Sequence, residues 1–402
     1  MASAPTITRP SAPRQQGGQS ATATPVIPFT RASRKKTRNG GVITVVFAAG
    51  QQALAPVQIP AAGYLRNIRL QVTCVTAGNA AATAFNADAP FNALQAVSLL
   101  AANGDSIISP LDGFALAMVN KYGCFNSQLN DPLADPGFSV TTGAGATGGS
   151  FNFNTRIPCE IDARDGLCAL PNMAANQSFL LQMSLAPSAT VYSVAPTAAG
   201  TVTITIVLEY WAAPSDTNAM GNPQAIAPPA NGSVSLLQIQ NPVIAASTDQ
   251  TFQLLNVGNT IRWIMFILRT APGVRTEADW PNVFNLFVQN DPWHFKTKNN
   301  WRQQMNQVYG LGQSATIGPT ATPTKGALDN GVFVLTDFME DGCAGDNFAT
   351  SASNRNQWLV TNSAAALTCE AANWGAAAGQ LLVITNSVRV SDPAALYQPF
   401  LI

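Results

Sequence analysis

The sequence predicts an all-β chain built from two tandem β-sandwiches, each carrying one short α-helix, behind a flexible basic N-terminal arm. Three observations predict it. Short β-branched runs separated by Gly, Pro, Asn and Ala recur from Val42 to the end, the texture of a sandwich or barrel. Charged residues make up only 10% of the 402 positions, against about 25% in ordinary globular domains. The two halves also repeat one another, which outweighs any single element in deciding the architecture.

The arm comes first. Residues 1–41 are rich in Pro, Ser, Thr, Gln and Gly, with the cluster Arg31, Arg34, Lys35, Lys36 and Arg38. Such a segment has too few large apolar groups to offset the entropy of ordering it. Nine basic residues precede the first acid, Asp88, leaving 12 basic residues against all 21 acids from there onward, although the formal net charge is zero. This asymmetry points to an anionic partner near the N-terminus, lipid or nucleic acid.

The clearest strands of the first half are Val42 to Phe47, Leu65 to Val75, Ala93 to Leu100, Phe179 to Leu185 and Thr201 to Tyr210. In the last of these polar and apolar residues alternate from Thr201 to Leu208, one face in and one face out. A stretch dense in Pro, Asn, Ala, Ser and Gly between Trp211 and Pro242 reads as an interdomain connection. Thr251 to Leu255, Thr260 to Arg269, Val283 to Gln289, Gly331 to Phe338, Gln357 to Thr361 and Gln380 to Val390 resume the strand texture. The expected division is an arm at 1–41, sandwiches at 42–214 and 246–395, a linker at 215–245, and a tail at 396–402.

The repeat rests on matched landmarks. Asn67-Ile68-Arg69-Leu70 in the first half faces Thr260-Ile261-Arg262-Trp263 in the second. Ser109-Pro110 faces Asp291-Pro292, and each pair is expected to start a helix, with a capping oxygen followed by a proline. The helices are expected to end at Tyr122-Gly123 and Tyr309-Gly310. Leu111, Phe114, Met118 and Tyr122, and then Trp301, Met305, Val308 and Tyr309, give each helix one apolar stripe. Further on, Ile161 to Gly166 is matched to Phe338 to Gly342, and Phe179-Leu180-Leu181 to Trp358-Leu359-Val360.

Catalytic and metal chemistry finds little support. The six cysteines, Cys74, Cys124, Cys159, Cys168, Cys343 and Cys369, are never close enough for a zinc knuckle, and read as structural thiols with a Cys159 to Cys168 disulfide left open. No nucleotide-binding loop, zinc-protease or calcium-loop motif is present, so no cofactor and no metal is expected. His294, the sole histidine, is placed in the first turn of the second helix with only Asp291 near it in sequence, a structural position. Glu160 with Asp162, and Glu340 with Asp341, are the acid pairs a sandwich glycosidase would need, yet they border Asp-Gly turns. Trp263, Trp280, Trp293, Trp301, Trp358 and Trp374 could stack sugars, though several fall on apolar faces. No run of about 18 apolar residues offers a membrane span, and the N-terminus lacks the apolar core of a signal peptide.

An arm, a sandwich with a helix in its middle, a Pro-rich linker and a second such sandwich together resemble the double jelly-roll major capsid proteins of tectivirus-like, membrane-containing bacteriophages, the adenovirus-related lineage. Gly63 to Leu70, Phe91-Asn92-Ala93-Leu94, the Gly113 to Gly123 helix and their second-half partners carry the resemblance. It implies two eight-stranded jelly rolls and a homotrimer whose six jelly rolls form a pseudo-hexameric capsomer. Such capsomers would tile an icosahedral shell over an internal membrane, assembled in the host cytoplasm, with penton or minor capsid proteins as further partners. It implies no catalytic residues. The basic cluster Arg31, Arg34, Lys35, Lys36 and Arg38 is then expected on the inner surface, against membrane or genome. The alternative readings are a carbohydrate-binding or glycoside-hydrolysing double sandwich and a secreted adhesin or pore subunit.

Overall fold

In a computed structural model, residues 26–76, 79–125, 130–145, 147–175, 178–270, 273–313, 323–335, 337 and 358–391 are described. The expected tail 396–402, Cys343, Glu340, Asp341 and the match of Ile161 to Gly166 with Phe338 to Gly342 fall outside them.

The first half contains β1 (Lys35–Val46), an interrupted β2 (Gln52–Ala53 with Val57–Gln58), β3 (Gly63–Val75), β4 (Leu94–Leu100), β5 (Ser106–Leu111), helix α1 (Gly113–Tyr122), β6 (Phe151–Pro158), β7 (Leu180–Leu185) and β8 (Thr201–Trp211). The second half contains β9 (Val234–Gln240), β10 (Gln250–Leu254), β11 (Thr260–Thr270), β12 (Val283–Val288), β13 (Asp291–Thr297), helix α2 (Lys298–Tyr309), β14 (Val332–Leu335), β15 (Leu367–Ala372) and β16 (Ala378–Arg389).

Strand order shows the repeat directly. The first half pairs its strands as β1-β8-β3-β6 and β2-β7-β4-β5, and the second as β9-β16-β11-β14 and β10-β15-β12-β13. Every first-half strand thus has a second-half counterpart eight labels later, and both helices join the fifth strand to the sixth. Two four-stranded sheets with these crossings are the jelly-roll form of a sandwich. The alternation read in Thr201–Trp211 is real: Val202, Ile204, Ile206, Leu208 and Tyr210 are all fully buried, while the residues between them face outward.

Several boundaries differ from expectation, each for a local reason. The first sheet opens at Lys35 rather than Val42, because the basic segment runs straight into an eleven-position antiparallel ladder with β8, from Lys35↔Trp211 to Val46↔Thr201. Ladder hydrogen bonds to β8 organise this segment, where its own side chains offer little to bury. β9 lies inside the expected linker, since Val234–Gln240 pairs along its whole length with β16.

Neither Ser109-Pro110 nor Asp291-Pro292 starts a helix. They lie in β5 and β13, where Pro110 falls at a position with no ladder partner and Pro292 sits on the last strand of its sheet among the described residues, so each proline costs little. The caps are Asp112, whose side chain accepts from the Ala115 amide at 2.7 Å, and Thr297, which accepts from the Asn300 amide at 3.4 Å. The expected helix ends hold, with Gly310 in the left-handed conformation at φ 64°. His294 is therefore a strand residue. The expected match of Phe179-Leu180-Leu181 with Trp358-Leu359-Val360 also fails: Leu359–Val360 adds to β11, as Leu170–Asn172 adds to β3, and the true counterpart of β7 is β15.

The apolar core is one continuous cluster running through both halves. In the second sandwich Trp280, Trp301, Phe266, Phe284 and Phe333 stack and cross within about 4 to 6 Å of one another, and the Trp301 indole donates to the Val334 carbonyl at 2.7 Å. We predict that Trp301→Ala costs about 3–5 kcal/mol of unfolding free energy, through the cavity it leaves. Urea denaturation followed by far-ultraviolet circular dichroism measures it.

Candidate assembly surfaces

The basic segment is held by a small satellite core. Phe29, in the four-residue helix Phe29–Ala32, is buried edge-on against Tyr64 and Trp211, with ring centroids at 5.2 and 6.1 Å. Ser33 Oγ donates to the Ala212 carbonyl, and the Ala212 amide donates to the Arg34 carbonyl at 2.8 Å. Beneath lies Glu160, fully buried, which accepts from Arg66 Nε at 2.8 Å, from Arg66 Nη2 at 2.7 Å and from the Trp211 indole. The Trp211 ring is covered by Arg66 at 4.5 Å and Lys35 at 5.2 Å, an arrangement in which cations meet the negative face of the indole.

Around this anchor Arg31, Arg34, Lys35, Lys36 and Arg38 are all exposed. Among the described residues no acid forms an ion pair with any of them. Arg38 makes one long contact, Nη1 to the Ala61 carbonyl at 3.4 Å. The chain thus gathers all five expected cations at one end of β1, with no described acid paired to them.

Where the two halves meet, charges are buried. Lys121, fully buried on α1, donates to Asp329 at 2.7 Å and to the Ala327 carbonyl at 2.6 Å. The Tyr122 hydroxyl donates to the same carboxylate at 2.7 Å and accepts from the Asp329 amide at 2.9 Å, while the Tyr309 hydroxyl donates to the Tyr122 carbonyl at 3.0 Å. Burial above all, then the neighbouring Asp329 charge, pushes the Tyr122 hydroxyl well above its ordinary pKa.

Arg262 reaches across from β11 to the Cys124 carbonyl at 2.8 Å, and Arg275 Nε binds Asp88 at 2.6 Å. Arg269 spans Asp88 and Asp112, each at 3.3 Å. Burial pulls the Arg269 guanidinium down, but those two carboxylates outweigh it and the net direction is upward. Sequence reasoning missed this lock. The available signal was Lys121, a single cation inside the apolar run of α1.

The strands join there too. Leu237 of β9 bridges in parallel to Ile108 of β5, fusing one sheet from each half into the continuous order β2-β7-β4-β5-β9-β16-β11-β14. A groove of about 520 Å³ runs beside this seam, lined by Asp112, Ile239, Pro242 and Arg269 among others.

Among the described residues, the acids and the histidine weighed for catalysis are occupied in structural contacts. Glu160 is the buried partner of Arg66 and Trp211. Neither it nor Asp162 lies on a strand: both follow β6, which ends at Pro158, and Asp162 accepts from the Arg164 amide at 2.9 Å and pairs with its side chain. His294 Nδ1 lies 3.6 Å from Asp337, whose Oδ1 also accepts from Lys296 at 2.7 Å and Gln304 at 3.0 Å.

Trp263, Trp280, Trp301, Trp358 and Trp374 are buried, whereas Trp293 is 43% exposed. No group of metal-binding side chains is found among the described residues. Cys74, Cys159, Cys168 and Cys369 are buried and outside any disulfide, so Cys159 and Cys168 are not bridged, and Cys124 is disulfide-bonded.

Two measurements test these sites. Asp329→Ala takes the 2.7 Å carboxylate from buried Lys121 and leaves it Asp131 at 3.9 Å, and we expect a loss of about 3 kcal/mol in denaturant unfolding. Burial raises the Glu160 carboxyl above its ordinary value of 4.5, against the opposing hydrogen bonds of Arg66 and Trp211. The folded chain therefore holds this proton more tightly than the unfolded chain. The resulting stability is complete below the ordinary value and is lost as pH rises through the raised one. Glu160→Gln should flatten the stability profile in that window, as read by unfolding midpoints at successive pH values.

No protein-family model matches the chain, and no curated protein matches it. Solved structures do. It superposes on the major capsid protein of Sulfolobus Turreted Icosahedral Virus with a TM-score of 0.57 at 14% identity, covering 88% of this chain and 96% of that one. The PBCV-1 virus capsid gives 0.57 at 11% identity, covering 89% and 93%. The major capsid protein P2 from bacteriophage PM2 gives 0.52 at 9%, covering 90% and 99%. At such identities the shared property is the backbone architecture, and the chain has the double jelly-roll fold that those major capsid proteins have.

Proposed function

We propose that this chain is a viral major capsid protein whose homotrimer forms a pseudo-hexameric capsomer of an icosahedral shell. The single observation that carries the reading is the duplicated strand order, two jelly rolls with a helix at the same point, held together by buried ion pairs. A subunit with two similar units, Lys35–Trp211 and Val234–Arg389, offers two similar flanks. Three such subunits offer six, so a three-fold object can sit among six neighbours through related contacts. The low charge content supports the same reading, since a surface covered by neighbouring copies has less need of Lys and Glu. The chain would act in the virion capsid as a structural protein, assembled in the host cytoplasm beside penton or minor capsid proteins.

The exposed cluster Arg31, Arg34, Lys35, Lys36 and Arg38 would face the inside of the shell, against an internal membrane or the genome. Its charges lie together at one end of β1, immediately after the N-terminal segment. Each is worth roughly 1 kcal/mol near an anionic lipid surface, weak singly and firm when multiplied over a trimer.

Negative-stain images and sedimentation of the purified protein test the main reading. Particles three times the chain mass with a hexagonal outline are expected, and monomers that turn over a glycan would overturn it. Replacing the five cations by Gln should abolish sedimentation with anionic vesicles while leaving the trimer intact. Unchanged binding would remove the inward role of the cluster.

A further inference from the structure

The contact between Lys121 and Asp329 brings together more than two opposite charges. A lysine amine is a nucleophile once it has given up a proton, and Nζ of Lys121 lies 2.7 Å from Oδ2 of Asp329, the two side chains being 1% and 0% exposed. A single C–O bond separates that oxygen from the carboxyl carbon, Cγ. Helix α1 fixes the lysine and the segment before β14 fixes the acid, so the two groups are held together without the entropic cost of an encounter.

The groups around the pair are those that an amide-forming step needs. Asp131 places Oδ2 3.9 Å from Nζ and is held there by the Gly326 amide at 2.8 Å, a second carboxylate in position to carry a proton. The Tyr122 hydroxyl donates to Oδ2 of Asp329 at 2.7 Å, and burial keeps that hydroxyl protonated. The Ala327 carbonyl accepts from Nζ at 2.6 Å and steadies the amine. Oδ1 of Asp329, by contrast, is buried with no hydrogen-bond partner among the described residues. Both donors therefore act on one oxygen of the carboxyl group, which marks it as the leaving one, and the other remains as the carbonyl.

We propose that Lys121 and Asp329 condense to an isopeptide bond that ties the two jelly rolls together covalently. A proton passes from the ammonium to the Asp329 carboxylate, which removes two buried charges at once. Nζ then bonds to Cγ, and Asp131 takes a second proton from Nζ and delivers it to Oδ2 of Asp329. The Cγ–Oδ2 bond breaks with its electron pair, and Oδ2 leaves as water. An ammonium and a carboxylate thus become a secondary amide and a water, with no oxidant, cofactor or outside reactant. A neutral amide costs far less to bury than charged groups do, and exclusion of bulk water from the site opposes the reverse reaction. The step needs α1 and the segment before β14 already docked, so it follows folding and does not depend on association between copies.

Mass spectrometry of the purified full chain, reduced and denatured, tests it. The protein should weigh one water less than its sequence requires. Trypsin should leave peptide 70–156 uncut after Lys121 and joined to peptide 326–355. Lys121→Arg removes the amine and should restore the full sequence mass, folded or not. Asp131→Asn keeps both reacting groups, and bond formation after refolding should slow about 100-fold. Separate peptides 70–121 and 326–355, with an intact mass equal to that of the sequence, would overturn the bond. A water still missing from Lys121→Arg would do the same, and an unchanged rate in Asp131→Asn would remove Asp131 from the step.

Discussion

The buried pairing of Lys121 with Asp329, shared with the hydroxyl of Tyr122, is the constraint on which the rest of the molecule depends. Taking two charges out of water costs several kcal/mol per ion before their attraction returns any of it. Such a pair is therefore a poor source of stability and a strict source of geometry. Oδ2 of Asp329 meets both donors only when α1 of the first jelly roll meets the segment before β14 of the second in one orientation. Arg262, Arg269 and Arg275 repeat the requirement along the same interface, each tying the second half to an acceptor in the first. An apolar contact of the same area would tolerate sliding; directional, charge-assisted bonds do not.

That rigidity explains why the two sandwiches share one continuous core and one fused sheet instead of hanging from a tether. The segment between them is not a spacer, since β9 within it completes the second jelly roll and touches the first through Leu237 and Ile108. α1 is buried on every side because it lies between its own sheet and the second half. α2, with the same position in its own jelly roll, keeps an exposed face bearing Gln303, Asn306 and Gln307. Equivalent elements thus acquire different surroundings once β5 and β9 are joined inside the chain.

The same divergence appears at the clearest repeat position. Arg69 lies on the outer face of β3, largely exposed, and pairs with Glu209 at 2.6 Å. Its counterpart Arg262 sits at a register shift between Ile261 and Trp263. There it turns inward, donating to Asn386 at 3.1 Å as well as to Cys124. A one-residue irregularity in the ladder converts a surface cation into an interface bond. No feature of the Ile-Arg dipeptide distinguishes the two.

By itself the sequence determined what depends on local pattern: the all-β class, the alternating strands, the helix stripes ending at Tyr122-Gly123 and Tyr309-Gly310, the duplication, and the cluster of cations from Arg31 to Arg38. These follow from periodicity, turn chemistry and charge counting, which neighbours along the chain suffice to set. Only the tertiary structure decided where Pro110 and Pro292 would sit, that Lys35 opens the first sheet, that Val234–Gln240 is a strand, and which charges would be buried between the halves. Apart from the two prolines, whose strands pair with the strand just before them, those outcomes turn on pairing across more than a hundred residues of chain, where the partner supplies the hydrogen bonds or the counter-charge. A backbone edge or a lysine in an apolar helix carries no local mark of the group that will satisfy it.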